Sequence, residues 1–297
     1  MEELDELTMI GRSRDAIDML IDPGTLQENF VAGREFAEDF GVGAIVGTAK
    51  LGGQTVTLIA NDPETYSEKF PVVFAGVIGL EEAYKMAQAI YATIEADVDK
   101  PLDEKRPIVL IVDTPGNAPG KTEEIIGMNK ATGAYQLALA EARGAGHPVA
   151  AVVIGRAISG AFLCHGLQAD HILALSKKFG TIIHVMPLTS ISRITKMDIE
   201  RLEALSHENP IFASGVDFFY KLGGVQEIIE NIDDMRGLVQ KHIEEIRAAK
   251  RAGRFDELGP KGRALLGEAR KGRTYRTRVV ALMNDQFDRV AAIYLNA

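Results

Sequence analysis

The chain has 297 residues, 46% of them hydrophobic, and a formal net charge of −9. That is enough apolar material for a sizeable core in one large domain, or in one domain with an appendage, while the acidic balance and the lack of a long basic run argue against a nucleic-acid surface. One cysteine, Cys164, excludes an internal disulfide framework and a cysteine zinc site; with no apolar run of membrane-spanning length and no apolar targeting segment after the acidic Met1–Asp5, a soluble, cytoplasmic α/β protein without a metal is expected.

Residues 1–40 read as a polar, helical lead-in interrupted by the turn Asp22-Pro23-Gly24. Gly43–Thr48 and Gln54–Ile59 read as a hairpin around Leu51-Gly52-Gly53. Val72–Ile78 reads as a short buried strand, and Glu81–Glu95 as a helix, because its apolar residues fall at helical spacing. Ile108–Val112 is a fully apolar run, the signature of a buried strand. A long helix is expected over Glu123–Ala142, ended by His147-Pro148. Val149–Ile154 follows as a second buried strand, then a helix over Gly160–Gln168 and strands at His171–Leu175 and Gly180–Val185. Residues 189–207 and 209–222 read as helices. Residues 225–297 read as mostly helical, with a Gly/Lys/Arg-rich break at 258–273. Strand–helix alternation at short intervals predicts an α/β fold with a parallel sheet. The expected divisions are a lead-in at 1–40, a main domain at 41–230 and a helical extension at 231–297.

Two buried strands run straight into glycine-rich turns and then helices. The turns are Asp113–Gly120 (DTPGNAPG) and Gly155–Ala161 (GRAISGA). The first N–H groups of a helix have no intrahelical partner, and the helix dipole favours negative charge there. Glycine lets a ligand approach the backbone. One such turn is equally well explained as a tight connection. Two of them on neighbouring strands predict a site that polarises a carbonyl or stabilises an enolate, where each lost donor costs roughly 3–4 kcal/mol of transition-state stabilisation.

Other signals are weaker. Gly120-Lys121-Thr122 imitates a phosphate loop, but position 115, where its first glycine belongs, is proline. Asp113-Thr114-Pro115-Gly116 imitates a GTPase element, yet Asn129-Lys130-Ala131-Thr132 lacks the guanine-reading aspartate. Ser159 and His184 could be a nucleophile and its base, as in Clp-type serine peptidases. The motif is not G-x-S-x-G, however, and no acid completes a triad, so Ser159 is read first as a helix N-cap and His184 as a candidate contact for an acyl carboxylate. His147 and His165 are read as structural, Cys164 as core, and His171 receives no role. Arg156, inside the second turn, and Arg193 with Lys196, after the last strand, are candidate anion binders.

IVDTPGNAPG (Ile111–Gly120) resembles the D-[TV]-P-G-x-x-P-G turn of acyl-CoA carboxyltransferases. HPVAAVVIGRAISGAFLCHGLQAD (His147–Asp170), with IIHVMP and Ser192-Arg193-Ile194-Thr195, more closely resembles the gamma subunit of biotin-independent malonate decarboxylase. The similarity spans roughly residues 70–225, and LIDPG (Leu20–Gly24) and Gly52-Gly53-Gln54 also look like carboxyltransferase segments. The resemblance implies a crotonase-like spiral of ββα units with flanking helices. It implies a heteromeric enzyme completed by a second, carboxyltransferase-like beta subunit. The substrate would be a malonyl thioester on the CoA-like prosthetic group of an acyl carrier protein, and the products the acetyl thioester and carbon dioxide. No cofactor would be attached to this chain, which has no Ala-Met-Lys biotinylation motif. By position, Gly160 and Ala161 match the backbone oxyanion donors, and Gly116 and Asn117 border the site. This half would grip the carboxyl group, with the thioester carbonyl held by the partner. Ile158, where glycine is usual, would narrow the space for biotin. A biotin-dependent carboxyltransferase subunit and a Clp-like peptidase are the competing readings; a non-catalytic scaffold that completes a partner's site is a further one.

Overall fold

In the computed structural model, which describes residues 7–118, 120–208 and 215–295, the central apolar runs become the middle strands of one sheet. The chain opens with helix α1 (Ser13–Leu20), the short strands β1 (Gln27–Glu28), β2 (Phe30–Val31) and β3 (Arg34–Glu35), and the hairpin β4 (Ala44–Leu51) and β5 (Gln54–Asn61). There follow α2 (Leu80–Ala96), β6 (Ile108–Thr114), α3 (Lys121–Ile126), α4 (Met128–Gly144), β7 (Val149–Ile158), α5 (Ser159–Cys164), β8 (His171–Leu175) and β9 (Ile182–His184). The remainder comprises α6 (Leu188–Thr195), α7 (Ile199–Glu208), α8 (Val216–Lys221), β10 (Glu227–Ile229), α9 (Met235–Arg251), α10 (Gly259–Ala269) and α11 (Arg276–Leu295).

Strand order is β1–β4–β5–β6–β7–β8–β10, with β9 also pairing β7. β1–β4 and β4–β5 are antiparallel; every pairing from β5 to β10 is parallel. The period-2 alternation of strands sorts the side chains onto two faces. Ile108, Leu110 and Val112 of β6 and Val149, Ala151 and Val153 of β7 pack under α2, α4 and α5. Val109, Ile111, Ala150, Val152 and Ile154 face the other way, against Ile17 and Leu20 of α1 and Val239, Ile243 and Ile246 of α9. Helices on both faces of a parallel sheet explain why these strands read as unbroken apolar runs. This is the mixed α/β fold that the resemblance implied.

Several expected elements differ. Among the described residues of the first 40, helix covers Leu7 and Ser13–Leu20, and the rest includes three short strands. Val72–Ile78 is not a strand. Ala75 (φ 51°) and Gly76 (φ 84°) bend it, and its one ladder contact is a parallel bridge from Ile78 to Asn117. The helix expected over Glu123–Ala142 is broken at Gly127 (φ 127°) into α3 and α4. The helix expected over Gly160–Gln168 stops at Cys164, and the strand over Gly180–Val185 shrinks to Ile182–His184. Of the helix read over 209–222, residues 209–214 lie outside the described part, and the rest contains α8. Glu227–Ile229, read as helix, is an extra strand. The supposed break at 258–273 is mostly helix. Pro260 suits a first helical turn, and the local glycines serve close packing: a methyl group on Gly267 would sit 2.1 Å from the Leu222 carbonyl oxygen.

Candidate functional site

β6 and β7 are parallel neighbours, so both glycine turns emerge at the carboxyl ends of the strands, on the same side of the sheet. They touch: a Cβ on Gly116 would lie 3.9 Å from Ser159 Cβ, and one on Gly160 would lie 3.3 Å from Asn117 Oδ1. The first turn is held open in a fixed shape. Gly116 takes φ 139°, a conformation natural to glycine. Its carbonyl accepts from Ile78 N–H (3.0 Å) and its N–H donates to Thr114 Oγ1 (3.3 Å), while Ala118 N–H donates to Ile78 O (2.9 Å). The segment misread as a strand at 72–78 is therefore the strap that shapes the first turn.

The second turn is shorter than the sequence suggests. Gly155 and Arg156 still belong to β7, and only Ile158–Ser159 reverses the chain. Gly155 is required there by contact, since a Cβ would meet Asp113 Oδ1 at 2.6 Å. Ser159 is not the N-cap. Ile158 occupies that place without a side-chain cap, and Ser159 is the first helical residue, held at φ 57°. A non-glycine residue in that region is strained, and such strain concentrates at functional sites. Gly160 and Ala161 come next in α5, so their N–H groups have no intrahelical acceptor. Gly160 is partly exposed and Ala161 is buried.

Arg156 does not face the cavity. Asp113 is fully buried, and its Oδ1 accepts from Arg156 N–H and Nε, both at 2.8 Å. Asp113 Oδ2 accepts from Gly11 N–H (2.6 Å) and Arg156 Nη2 (3.1 Å), and Nη2 also donates to Ala75 O (2.9 Å). Arg156 thus ties the second turn to the first and to the 72–78 strap, which is a positioning task. Cys164 and His165 are structural, as the sequence suggested. Burial pushes the Cys164 thiol up to about 12, and His165 bridges Tyr135 Oη (2.7 Å) and Ile111 O (2.8 Å).

Beside the turns lies a cavity of about 600 Å³ lined by Pro115, Ile158, Ser159, His184, Met186 and Arg193, among others. That volume is in the range of small-molecule sites. Ile158 lines it without filling it. His184 is register partner to Ile158; its Nδ1 is buried without a hydrogen-bond partner, and burial lowers its pKa. Asn117 Oδ1 is likewise buried and unpartnered. Two orphaned polar atoms beside two unpartnered N–H groups mark a place built for a ligand. Arg193 is exposed on α6 and makes no ion pair among the described residues. The walls around it are apolar, with Val185, Met186, Pro187 and Ile194. Of the nine residues singled out from the sequence, Ser159, His184 and Arg193 line the cavity, Gly116, Asn117, Gly160 and Ala161 form the turns beside it, Arg156 supports them from behind, and Lys196 ends α6 outside the lining. The sequence reading missed the strap at 72–78, which carries no motif, and the role of Val185, Met186, Pro187 and Ile194 as the cavity's apolar wall.

Among the described residues no helix is long and apolar enough to cross a membrane. The model of the malonate decarboxylase gamma subunit, MdcE, matches residues 75–287. The malonyl-S-ACP:biotin-protein carboxyltransferase MADD of Malonomonas rubra is 63% identical over 280 residues, covering 94% of this chain and 96% of that protein. A Pseudomonas malonate decarboxylase hetero-tetramer in complex with coenzyme A matches with TM-score 0.64 and 31% identity, covering 90% of this chain and 94% of that one. The Pseudomonas MdcD–MdcE hetero-dimer matches with TM-score 0.66 and 30% identity, over 82% and 90%. The fold recurs in the transcarboxylase 12S core at TM-score 0.61 and 23% identity, over 84% of this chain and 44% of that one. With a family model across most of its length and a relative at this identity, the chain belongs to the malonate decarboxylase gamma-subunit family.

Proposed function

We propose that this chain, with a second carboxyltransferase-like subunit, removes the carboxyl group of a malonyl thioester carried on an acyl carrier protein, leaving the acetyl thioester and carbon dioxide. The observation that carries this reading is the meeting of the two turns, which brings Gly160 up against Asn117 beside an apolar cavity lined by Pro115, Ile158 and Ser159.

The chemistry needs little more. When the carbon–carbon bond to the carboxyl group breaks, its electron pair moves onto the thioester carbonyl as an enolate. Fixed N–H donors lower the barrier by binding the oxygen that gains charge more strongly in the transition state than in the ground state. On this chain the Gly160 and Ala161 amides hold the carboxyl group, Asn117 and Gly116 border it, and Arg193 supplies positive charge at the rim. The partner subunit holds the thioester oxygen. The apolar wall excludes water and strengthens each of these interactions. His184, kept neutral by burial, is the candidate to hold a proton for the new carbanion. The 600 Å³ cavity suits the acyl end of a prosthetic group, and no residue here is assigned a covalent link to one. Ser159 has the strained setting of a nucleophile, but no carboxylate orients His184 among the described residues, so a peptidase reading has no acid.

A second reading concerns where the carboxyl group goes. The relative at 63% identity is a malonyl-S-ACP:biotin-protein carboxyltransferase, which favours transfer to a biotin-bearing carrier before release. Biotin would then be a second substrate, for which the wall beside Ile158 leaves room. The test uses the assembled enzyme. Gly160→Pro removes one amide that positions the carboxyl group, and turnover is expected to fall on the order of 100-fold, as for a misplaced reacting group, while Ser159→Ala keeps most activity. Near-normal turnover in a folded Gly160→Pro enzyme would refute the donor assignment. Inhibition by avidin selects the biotin route, and indifference to it selects direct release.

A further inference from the structure

Away from the cavity, three electron-rich atoms converge between β8 and α9. His171 Nδ1, at the start of β8, lies 2.8 Å from His242 Nδ1 on α9. His242 Nδ1 is 3.4 Å from Glu245 Oε2, one helical turn further on. All three atoms fall within 4.8 Å of one another. Behind them, His242 Nε2 is 2.9 Å from Glu227 Oε2 at the start of β10, which also accepts from Lys241 Nζ (2.9 Å). None of these residues lines the cavity at Ser159.

An ionised Glu227 only accepts hydrogen bonds, so His242 Nε2 carries the proton between them. In neutral His242 that leaves Nδ1 as a bare lone pair, aimed at a second imidazole nitrogen and a carboxylate. That lone pair is met either by an Nδ1–H donated from neutral His171 or by a cation shared with Glu245. Two nitrogens and one oxygen are a donor set for zinc and its neighbours among the divalent transition metals. In a tetrahedral site with bonds of about 2.0–2.1 Å, ligand atoms sit about 3.3 Å apart. The 3.4 Å separation matches, and the histidine pair needs to open by only about 0.5 Å. A carboxylate behind a ligating histidine is the usual support of a metal site, fixing its tautomer and orientation. A cavity of about 290 Å³ lined by His171, Glu245, Arg254 and Glu257 adjoins the cluster and leaves room for a water as fourth ligand.

We propose that His171, His242 and Glu245 bind a divalent transition-metal ion of the zinc class, with Glu227 fixing the His242 tautomer, and that the ion pins α9 to the start of β8. The experiment is a titration of the full, tag-free chain with zinc chloride by calorimetry, with thermal unfolding alongside. One zinc per chain and a raised unfolding midpoint are expected. Glu227→Gln leaves the ligands in place and is expected to weaken binding ~10–100-fold. Glu245→Gln, at an exposed position, weakens it at least comparably, and His171→Gln abolishes it together with the visible absorption of the cobalt-loaded chain. No saturable binding would overturn the proposal. So would unchanged binding in both Glu227→Gln and Glu245→Gln, or loss of the ion in His184→Gln instead. If His171→Gln fails to fold, as circular dichroism would show, the two glutamate variants decide.

Discussion

Arg156 separates what a sequence suggests from what packing decides. A basic residue inside a glycine turn reads as an anion binder, yet here its guanidinium and its own N–H are spent on one buried carboxylate, Asp113. Removing one partner of a buried ion pair leaves an uncompensated charge and costs about 3–5 kcal/mol. Arg156→Gln is therefore expected to act first on stability: chemical denaturation should show a loss of about 3–5 kcal/mol, with both turns disturbed. A raised KM for the malonyl thioester at unchanged stability would return Arg156 to the substrate. Arg193 should behave in the opposite way. It is exposed and lines the cavity, so Arg193→Ala should leave unfolding within about 0.5 kcal/mol of the parent while raising KM, as steady-state kinetics would record.

At the level of elements, the helix α11 is the least explained by the chain alone. It runs 20 residues without a buried side chain. Val279, Met283, Phe287, Val290 and Tyr294 follow at steps of four, four, three and four, and all are exposed, Met283 by 63% and Phe287 by 50%. That spacing puts them on one face of the helix. Helices with an exposed apolar stripe are covered by something, and in this family the relatives form hetero-oligomers. The second subunit is the expected cover. Phe287→Glu is expected to leave the chain folded but to reduce recovery of the partner in co-purification; full recovery would place the interface elsewhere.

The same scale shows what was legible beforehand. The middle strands announced themselves, because a strand buried on both faces must be apolar throughout; Ile108–Val112 and Val149–Ile154 could be little else. The two turns were legible through their glycines. The exact reversal was not, because nothing local distinguishes Gly155, needed for contact with Asp113, from a turn glycine. Val72–Ile78 has the composition of a strand but no strand beside it to pair with, and pairing is a tertiary fact. The helix at Gly259–Ala269 was hidden by glycines whose role is close approach to Leu222 and Glu257. Ser159 was read as a cap because serine often caps; its positive φ comes from the turn geometry, which composition does not encode.

For the whole molecule, the buried histidines set the response to acid. His165 lies between α5 and β6, in the layer that carries both turns. Its Nε2 faces the Ile111 carbonyl and must donate, so Nδ1 accepts from the Tyr135 hydroxyl. Neither nitrogen can take a further proton without breaking this bridge, and burial holds the group at about 4 against an ordinary 6.5. The sign follows from linkage. Below about pH 6.5 the unfolded chain binds a proton that the folded chain refuses, so stability is full above 6.5 and declines as the pH falls toward 4. This lowering corresponds to roughly 3 kcal/mol from His165 alone. Burial also lowers His147 and His171, which act in the same direction. Denaturant unfolding at a series of pH values between 7 and 4 is therefore expected to show a steady loss of stability, with a shallower slope in a folded His165→Gln variant. An equal slope in that variant would assign the acid sensitivity to the other histidines. Because the bridge anchors α5, catalytic turnover should fall over the same interval in step with the unfolding midpoint, rather than following the titration of a single group in the cavity.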